Sequence, residues 1–114
     1  MSLPQPSLSV CVVSWNSAAD LPTCLTALLD SVPQASRDLI LVDNASRDNS
    51  VQVARAVSPQ LQVLPQSRNL GLGPAANRAA KVARGDILVF VNPDVTLLPG
   101  ALAALQEFFA THPD

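Results

Sequence analysis

Asp43 closes the apolar run Leu39 to Val42, and Asp94 follows the apolar run Ile87 to Val91 across Asn92-Pro93. A carboxylate beside such a run is costly to bury alone, so each requires a metal, hydrogen-bond donors or water. Hard oxygen ligands such as the carboxylate of Asp94, with the amide oxygen of Asn92, suit magnesium or manganese; one protein carboxylate plus a ligand diphosphate is an ordinary arrangement for these ions. Taken singly, each Asp equally suits a turn or a helix cap, and Asn92 equally suits a turn. Together, at one edge of a sheet, they favour a site.

Other residues carry weaker signals. Gly71-Leu72-Gly73-Pro74 lacks the Lys-Ser/Thr of a P-loop and the G-x-G-x-x-G of dinucleotide binders, and it follows the third strand rather than the first, so turn glycines are the simpler reading. Trp15, the single Trp, falls at a strand tip, where rim packing is commoner than stacking on a ligand. His112 lies near the terminus, and no Ser/His/Asp or Cys/His set assembles around it. Cys11 and Cys24 fit neither a disulfide framework nor a zinc site and read as buried free thiols.

The elements that must position these residues alternate. Leu8 to Trp15 reads as a first strand. A helix follows with Leu21, Leu25, Leu28, Leu29 and Val32 on one face, Ser17 or Asp20 as its cap, and Pro33 as its end. Leu39 to Val42 is a second strand. Ser46 or Asp48 would cap a helix from about 49 to 57, and 61–65 reads as a weaker third strand near an edge. After the loop 66–73, a helix rich in small residues begins near Pro74, runs through Ala75, Ala79 and Ala83, and stops at Gly85. Ile87 to Val91, apolar on both faces, reads as a buried central strand that cannot be an exposed edge. Pro93 ends it and delivers Asp94 to its C-terminal tip. Pro99 starts a last helix with Leu102, Leu105, Phe108 and Phe109 as its apolar stripe, ended by Thr111, His112 and Pro113. This βαβαβαβα alternation predicts an α/β fold, a three-layer α/β/α sandwich around a mainly parallel sheet with right-handed crossovers. If the strand order reverses between strands one and four, Trp15, Asp43 and Asp94 gather around one crevice at the ligand edge.

Composition bounds the function. The 114 residues suit one domain over 8–114, with 1–7 as a tail that is disordered or derived from cloning. A hydrophobic fraction of 48% against 14% charged residues predicts a sheet covered on both sides or apolar surface normally covered by further chain, with homo-oligomer formation through it as an option. A net charge of −2 with seven scattered cations argues against a nucleic-acid partner. With no signal peptide and no apolar run of membrane-spanning length, the expected location is cytoplasmic, with a membrane-associated substrate at the inner face as an extension.

Four ordered motifs carry a resemblance. Val13 to Ser17, Val42 to Ser50, Asn69 to Asn77 and Asn92-Pro93-Asp94 are similar to family 2 glycosyltransferases of the GT-A fold, from Leu8 onward. The Asp-Asn-Ala-Ser and Asn-Pro-Asp variants resemble the rhamnosyltransferase-like branch, although Leu72 stands where that branch often has Phe and Ala79 where it often has Gly. The resemblance implies the nucleotide-diphospho-sugar-binding, Rossmann-like half of a GT-A fold. It implies a dTDP- or UDP-sugar donor, with Ser14, Trp15, Asp43 and Asn44 near base and ribose, and Asn69, Gly71 and Asn77 bordering the donor. Asp94 matches the metal-binding end of the family's Asp-x-Asp motif and Asn92 its first position, with Mg2+ or Mn2+ as cofactor.

The implied reaction is sugar transfer to a saccharide or lipid-linked acceptor, as in polysaccharide biosynthesis. The family's domain is usually about twice this long, and its later half supplies the acceptor cleft and the general base. No catalytic residue is therefore expected within this chain, which reads as the donor-binding half, inactive when isolated. The alternative is a non-catalytic module that binds nucleotide or a partner protein through an exposed apolar sheet edge. An NAD-dependent oxidoreductase lacks the required glycine-rich turn after the first strand, and a receiver domain lacks the acidic cluster there.

Overall fold

The computed structural model describes residues 6–31 and 38–112. Four strands, β1 (Leu8–Ser14), β2 (Leu39–Asp43), β3 (Gln62–Pro65) and β4 (Ile87–Val91), alternate with four helices, α1 (Leu21–Ser31), α2 (Ser50–Val57), α3 (Leu72–Val82) and α4 (Ala101–Thr111). All three pairings are parallel, in the order β3-β2-β1-β4. The fold is the expected three-layer α/β sandwich.

The core forms two clusters because successive strand residues face opposite sides. Leu8, Val10 and Val12 of β1 pack with Leu39, Leu41 and Val91 against Leu21, Leu25 and Leu28 of α1, Ala54 of α2 and Leu102 of α4. Cys11, Ile40 and Val42 face the other way, onto Ala75 and Ala79 of α3. From β1 to β3 the chain steps in one direction with α1 and α2 on one face. It then returns past β2 and β1 to reach β4, and a crossover of fixed hand in the opposite direction uses the opposite face. That assigns α3 its side, where fully buried Ala75 and Ala79 let the helix lie close to the sheet.

Several local expectations are corrected. Among the described residues β4 lies at the edge of the sheet rather than in its centre, paired with β1 alone, and Phe90 is 46% exposed. An apolar run reports what covers a strand's two faces and says nothing about neighbours along the hydrogen-bonding direction. On the α3 side, that single helix contacts β1 and β2, so Phe90 is left uncovered. β3 is the opposite edge, as its alternation suggested. Gly85 does not stop α3, which ends at Val82 with Ala83 as its cap in extended backbone. A Cβ on Gly85 would lie 2.5 Å from the Ser9 amide nitrogen and 2.6 Å from the Leu8 carbonyl carbon, so glycine is required there by close approach. Within the α4 stripe, Leu102 is buried and Leu105 packs on the core, whereas Phe108 and Phe109 are exposed. The helix starts at Ala101 behind left-handed Gly100 rather than at Pro99. The expected end of α1 at Val32-Pro33, most of the tail before Leu8 and Pro113 lie outside the described residues.

The N-terminal ends of the strands are tied by a polar strap. Asp38, nearly buried, accepts hydrogen bonds from Ser9 Oγ and from the Arg84 amide (2.8 Å), and the Arg84 guanidinium pairs with it at 3.5 Å. Burial pushes this carboxyl up, but the Arg84 amide, the Ser9 hydroxyl and the Arg84 charge outweigh it and hold it below the usual carboxylate range. Ser9 Oγ in turn accepts the Gly85 amide at 2.7 Å. The strap joins the N-terminal end of β1 to the approach of β4.

Candidate functional site

Register brings the motif residues level at the C-terminal edge. Ser14 pairs with Asp43 and Asp43 with Pro65, while Val91 pairs with Val12 so that Asn92 to Asp94 turns away beside the β1 tip. Asp43 is buried at 3% exposure. Its Oδ1 accepts Ser14 Oγ at 2.8 Å and Ser46 Oγ at 2.6 Å, and its Oδ2 accepts the Ser46 amide at 2.9 Å. Three of the roughly four acceptor positions of a carboxylate are thus engaged. The cost of burying Asp43 is offset by serine donors from β1 and from its own turn.

The loop after β1 is laced to the loop after β2. The Asn16 amide donates to Ser46 Oγ (2.8 Å), the Arg47 amide to Asn16 Oδ1 (2.8 Å), the Ser17 amide to Ser50 Oγ (2.9 Å) and the Ala18 amide to Asp48 Oδ2 (3.1 Å). Asp48 Oδ1 also accepts the Ser50 amide and hydroxyl, so it caps α2 from one residue before the Asn49 cap position. Ser46, the other expected cap, serves Asp43 instead. Those bonds hold the Asp48 carboxyl below its ordinary range, the Ser50 hydroxyl being the largest cause. Asn16 and Ala45 both adopt positive φ, 50° and 60°, a conformation non-glycine residues take only where surrounding bonds over-determine it. Sequence reading gave Asp48 correctly as a cap of α2 and Ser46 only as its alternative, and it missed Asn16 and Ser50 as positioning residues; their signal was a run of small polar residues directly after two apolar strands.

The third motif is held by Asn44. This buried amide donates from Nδ2 to the Gly71 carbonyl (3.2 Å) and accepts the Leu70 amide at Oδ1 (3.4 Å). Asn69 Oδ1 accepts the Gly71 amide at 2.8 Å, and Gly71 enters α3 at φ 80°, a left-handed value that explains its glycine. Asn77 lies exposed on α3. These loops enclose an open crevice of about 840 Å³ lined by Trp15, Asn16, Ala45, Arg47, Ser67, Arg68 and Asn69. Trp15 is 57% exposed on its rim. Arg47 and Arg68 were not anticipated, because scattered surface cations have no sequence pattern until loops converge.

At the β4 tip, Asn92 and Asp94 are both exposed, in a turn closed by the Val95 amide on the Asn92 carbonyl (3.0 Å). Buried Cys24 of α1 donates its thiol to the same carbonyl at 3.7 Å. Burial first, then the nearby carboxylates of Asp20 and Asp94, push that thiol up to about 11. The structure therefore brings α1 against the Asn-Pro-Asp turn. Among the described residues no group of three or more His, Cys, Asp or Glu side chains could hold a metal. Asp94 and Asn92 offer one carboxylate and one amide oxygen, a hard but incomplete set that fits an ion sharing its remaining positions with a ligand and water.

The family model for glycosyl transferase family 2 matches residues 9–114. The chain belongs to glycosyltransferase family 2. Among relatives of this family 2 domain, the uncharacterized protein MT1568 of Mycobacterium tuberculosis is 32% identical over 105 residues, covering 92% of the chain and 33% of its own length. A PGL/p-HBAD biosynthesis glycosyltransferase of Mycobacterium bovis is 30% identical over 114 residues, covering 94% of the chain and 43% of its own length. Among solved structures, S. aureus TarS 1-349 in complex with UDP superposes with a TM-score of 0.88 at 26% identity, over 94% of the chain and 33% of TarS 1-349. The family 2 domain therefore spans about a third to two fifths of the length of these relatives. No helix among its described residues is long and apolar enough to cross a membrane.

Proposed function

We propose that this family 2 domain is the donor-binding part of a glycosyltransferase that moves a sugar from a nucleotide-diphospho-sugar to a saccharide or lipid-linked hydroxyl. The observation that carries the reading is the convergence of four motif segments, from β1, β2, the α3 entry and β4, on one edge of the sheet. Trp15, Ser14, Asp43 and Asn44 face or support the base and ribose. Asn69 and Gly71 shape the wall beside them, and Asn77 borders the donor from α3. A UDP complex of a relative at 26% identity supports a UDP-type donor, and the Asp-Asn-Ala-Ser and Asn-Pro-Asp variants keep a dTDP-sugar of the rhamnosyl type in view.

Asp94 and Asn92 would hold Mg2+ or Mn2+, which supplies charge neutralisation of a diphosphate when bound. In the transfer itself the acceptor oxygen bonds to the anomeric carbon, the bond from that carbon to the phosphate oxygen breaks, and the hydroxyl proton passes to a base. That base is expected outside these 114 residues, so the chain alone binds donor without turnover. The reaction is placed in the cytoplasm, at the inner face of the membrane where the acceptor is lipid-linked.

Calorimetry with UDP and dTDP, each with and without Mn2+, tests the reading. Metal-dependent binding is expected, falling at least about tenfold in Asp94→Ala. Binding indifferent to both metal and Asp94 overturns it.

A second reading, a non-catalytic module that associates through apolar surface, draws on the exposure of Phe90, Leu98 and Phe108 at 46%, 76% and 53%. Light scattering decides it: a strictly monomeric chain would remove its support.

A further inference from the structure

We propose that Cys24 and Ser31 of α1 are positioning residues for the loop that carries Asn92 and Asp94, and that they set its affinity for a divalent cation. The loop 92–100 between β4 and α4 has no helix or strand of its own and is mostly exposed, so strand pairing ceases to hold it after Val91. Two hydrogen bonds from α1 take over. The Cys24 thiol donates to the Asn92 carbonyl at 3.7 Å, and the Ser31 hydroxyl donates to the Leu98 carbonyl at 3.2 Å. Each of those carbonyls also closes a turn, accepting the Val95 amide at 3.0 Å and the Ala101 amide at 3.1 Å. Both lone pairs of each oxygen are used, and the same double acceptance holds the loop at its two ends.

Cys24 and Ser31 lie two turns apart along the buried stripe of α1 that also holds Leu21, Leu25 and Leu28. They are 1% and 4% exposed, and each spends its hydrogen on the loop. A hydroxyl buried in an apolar stripe is costly unless bonded, so the Leu98 carbonyl accounts for Ser31 at that position. Between the two anchors Leu97 packs on the core, while Thr96 lines an open groove of about 440 Å³ together with Thr23, Thr26 and Asp30 of α1. The helix is itself fixed at its start. The Asp20 and Leu21 amides bond the Ser17 carbonyl, and the Ser17 amide bonds Ser50 Oγ. By these contacts α1 joins the laced loops after β1 and β2 to the Asn-Pro-Asp turn. An ion shared between Asp94, Asn92 and a ligand needs those two side chains in one arrangement, and the groups that orient a metal's ligands are part of its affinity. The inference rests on the reading of Asp94 and Asn92 as the groups that hold the cation.

Calorimetry of UDP binding over a series of Mn2+ concentrations reads the metal requirement, and amide hydrogen exchange reads the loop. In Cys24→Ala and in Ser31→Ala the Mn2+ concentration for half-maximal UDP binding should rise about threefold to tenfold, the share of one hydrogen bond, with UDP binding in EDTA at the parent level. Exchange at the Val95 and Ala101 amides should quicken in the same variants, since each shares its carbonyl with the lost donor. Ser31→Thr keeps the hydroxyl and should stay within about twofold of the parent. Cys11→Ala is the control for lost packing alone: it removes the same thiol from the cluster under α3, and it should lower the melting temperature while leaving the Mn2+ requirement at the parent value. An unchanged Mn2+ requirement in both Cys24→Ala and Ser31→Ala, or an equal rise in Cys11→Ala, overturns the inference and leaves the metal reading standing. A parent chain whose UDP binding is indifferent to Mn2+ overturns both.

Discussion

Asp43 is buried, accepts three hydrogen bonds, and holds the β1 tip to the β2 turn through Ser14 and Ser46. Removing the carboxylate would strand two hydroxyls and an amide, and a buried donor left unmade costs about 1–3 kcal/mol. Asp43→Ala is therefore expected to lower unfolding free energy in urea by about 2–3 kcal/mol. Asp43→Asn should cost less. Its N–H2 can turn toward Ser14 and Ser46, whose hydroxyls rotate to accept, while its oxygen still meets the Ser46 amide. Equal losses in the two variants would show that the serines are not the partners that matter. In sequence, the strand-end position of Asp43 was legible from the apolar run before it. Its serine partners were not, because Ser14 is 29 residues away and only the parallel register places it opposite.

At the scale of elements, β4 and its approach are the informative case. Gly85 enters β4 where the chain grazes the start of β1, and the atoms in the way are backbone, which cannot swing aside. Gly85→Ala should cost about 1–3 kcal/mol, as overpacking of a tight site does, and should weaken the strap in which Ser9 accepts the Gly85 amide. Thermal melts of Gly85→Ala beside Gly73→Ala provide the measurement, since a Cβ on Gly73 meets nothing within 4 Å. Similar losses in the two would remove the close-approach argument. The same strap sets an acid-side dependence. The Asp38 carboxyl is held below its ordinary value in the folded chain, so its contribution is present above that value and is lost as pH falls through the lowered one. Asp38→Asn should flatten the acid limb of a stability-against-pH curve.

For the whole molecule, the two thiols report on the two halves of the core. Cys11 lies in the cluster under α3 and Cys24 in the one under α1. Burial pushes Cys11 up to about 11, the Val42 backbone bond opposing it weakly, and Cys24 rises to about 11 as well. The folded state thus keeps protons that the unfolded chain releases near the ordinary value of 9.0. Stability is intact below that value and declines as pH rises toward about 11. Unfolding curves between those limits, with Cys11→Ala and Cys24→Ala as controls, should show the decline shrink in each variant. Neither thiol should react with a disulfide reagent near neutral pH until the chain unfolds. The sequence by itself determined the α/β alternation, the eight elements to within a residue or two, and the strand ends that carry Asp43 and Asp94. Those features follow from local periodicity, prolines and abrupt polar residues, which act over a few positions. Only the tertiary structure decided that β4 is an edge, that Gly85 is a contact rather than a stop, and that Arg47 and Arg68 face one crevice. Each of those depends on strand order and loop convergence, and both are set by packing between segments far apart in the chain.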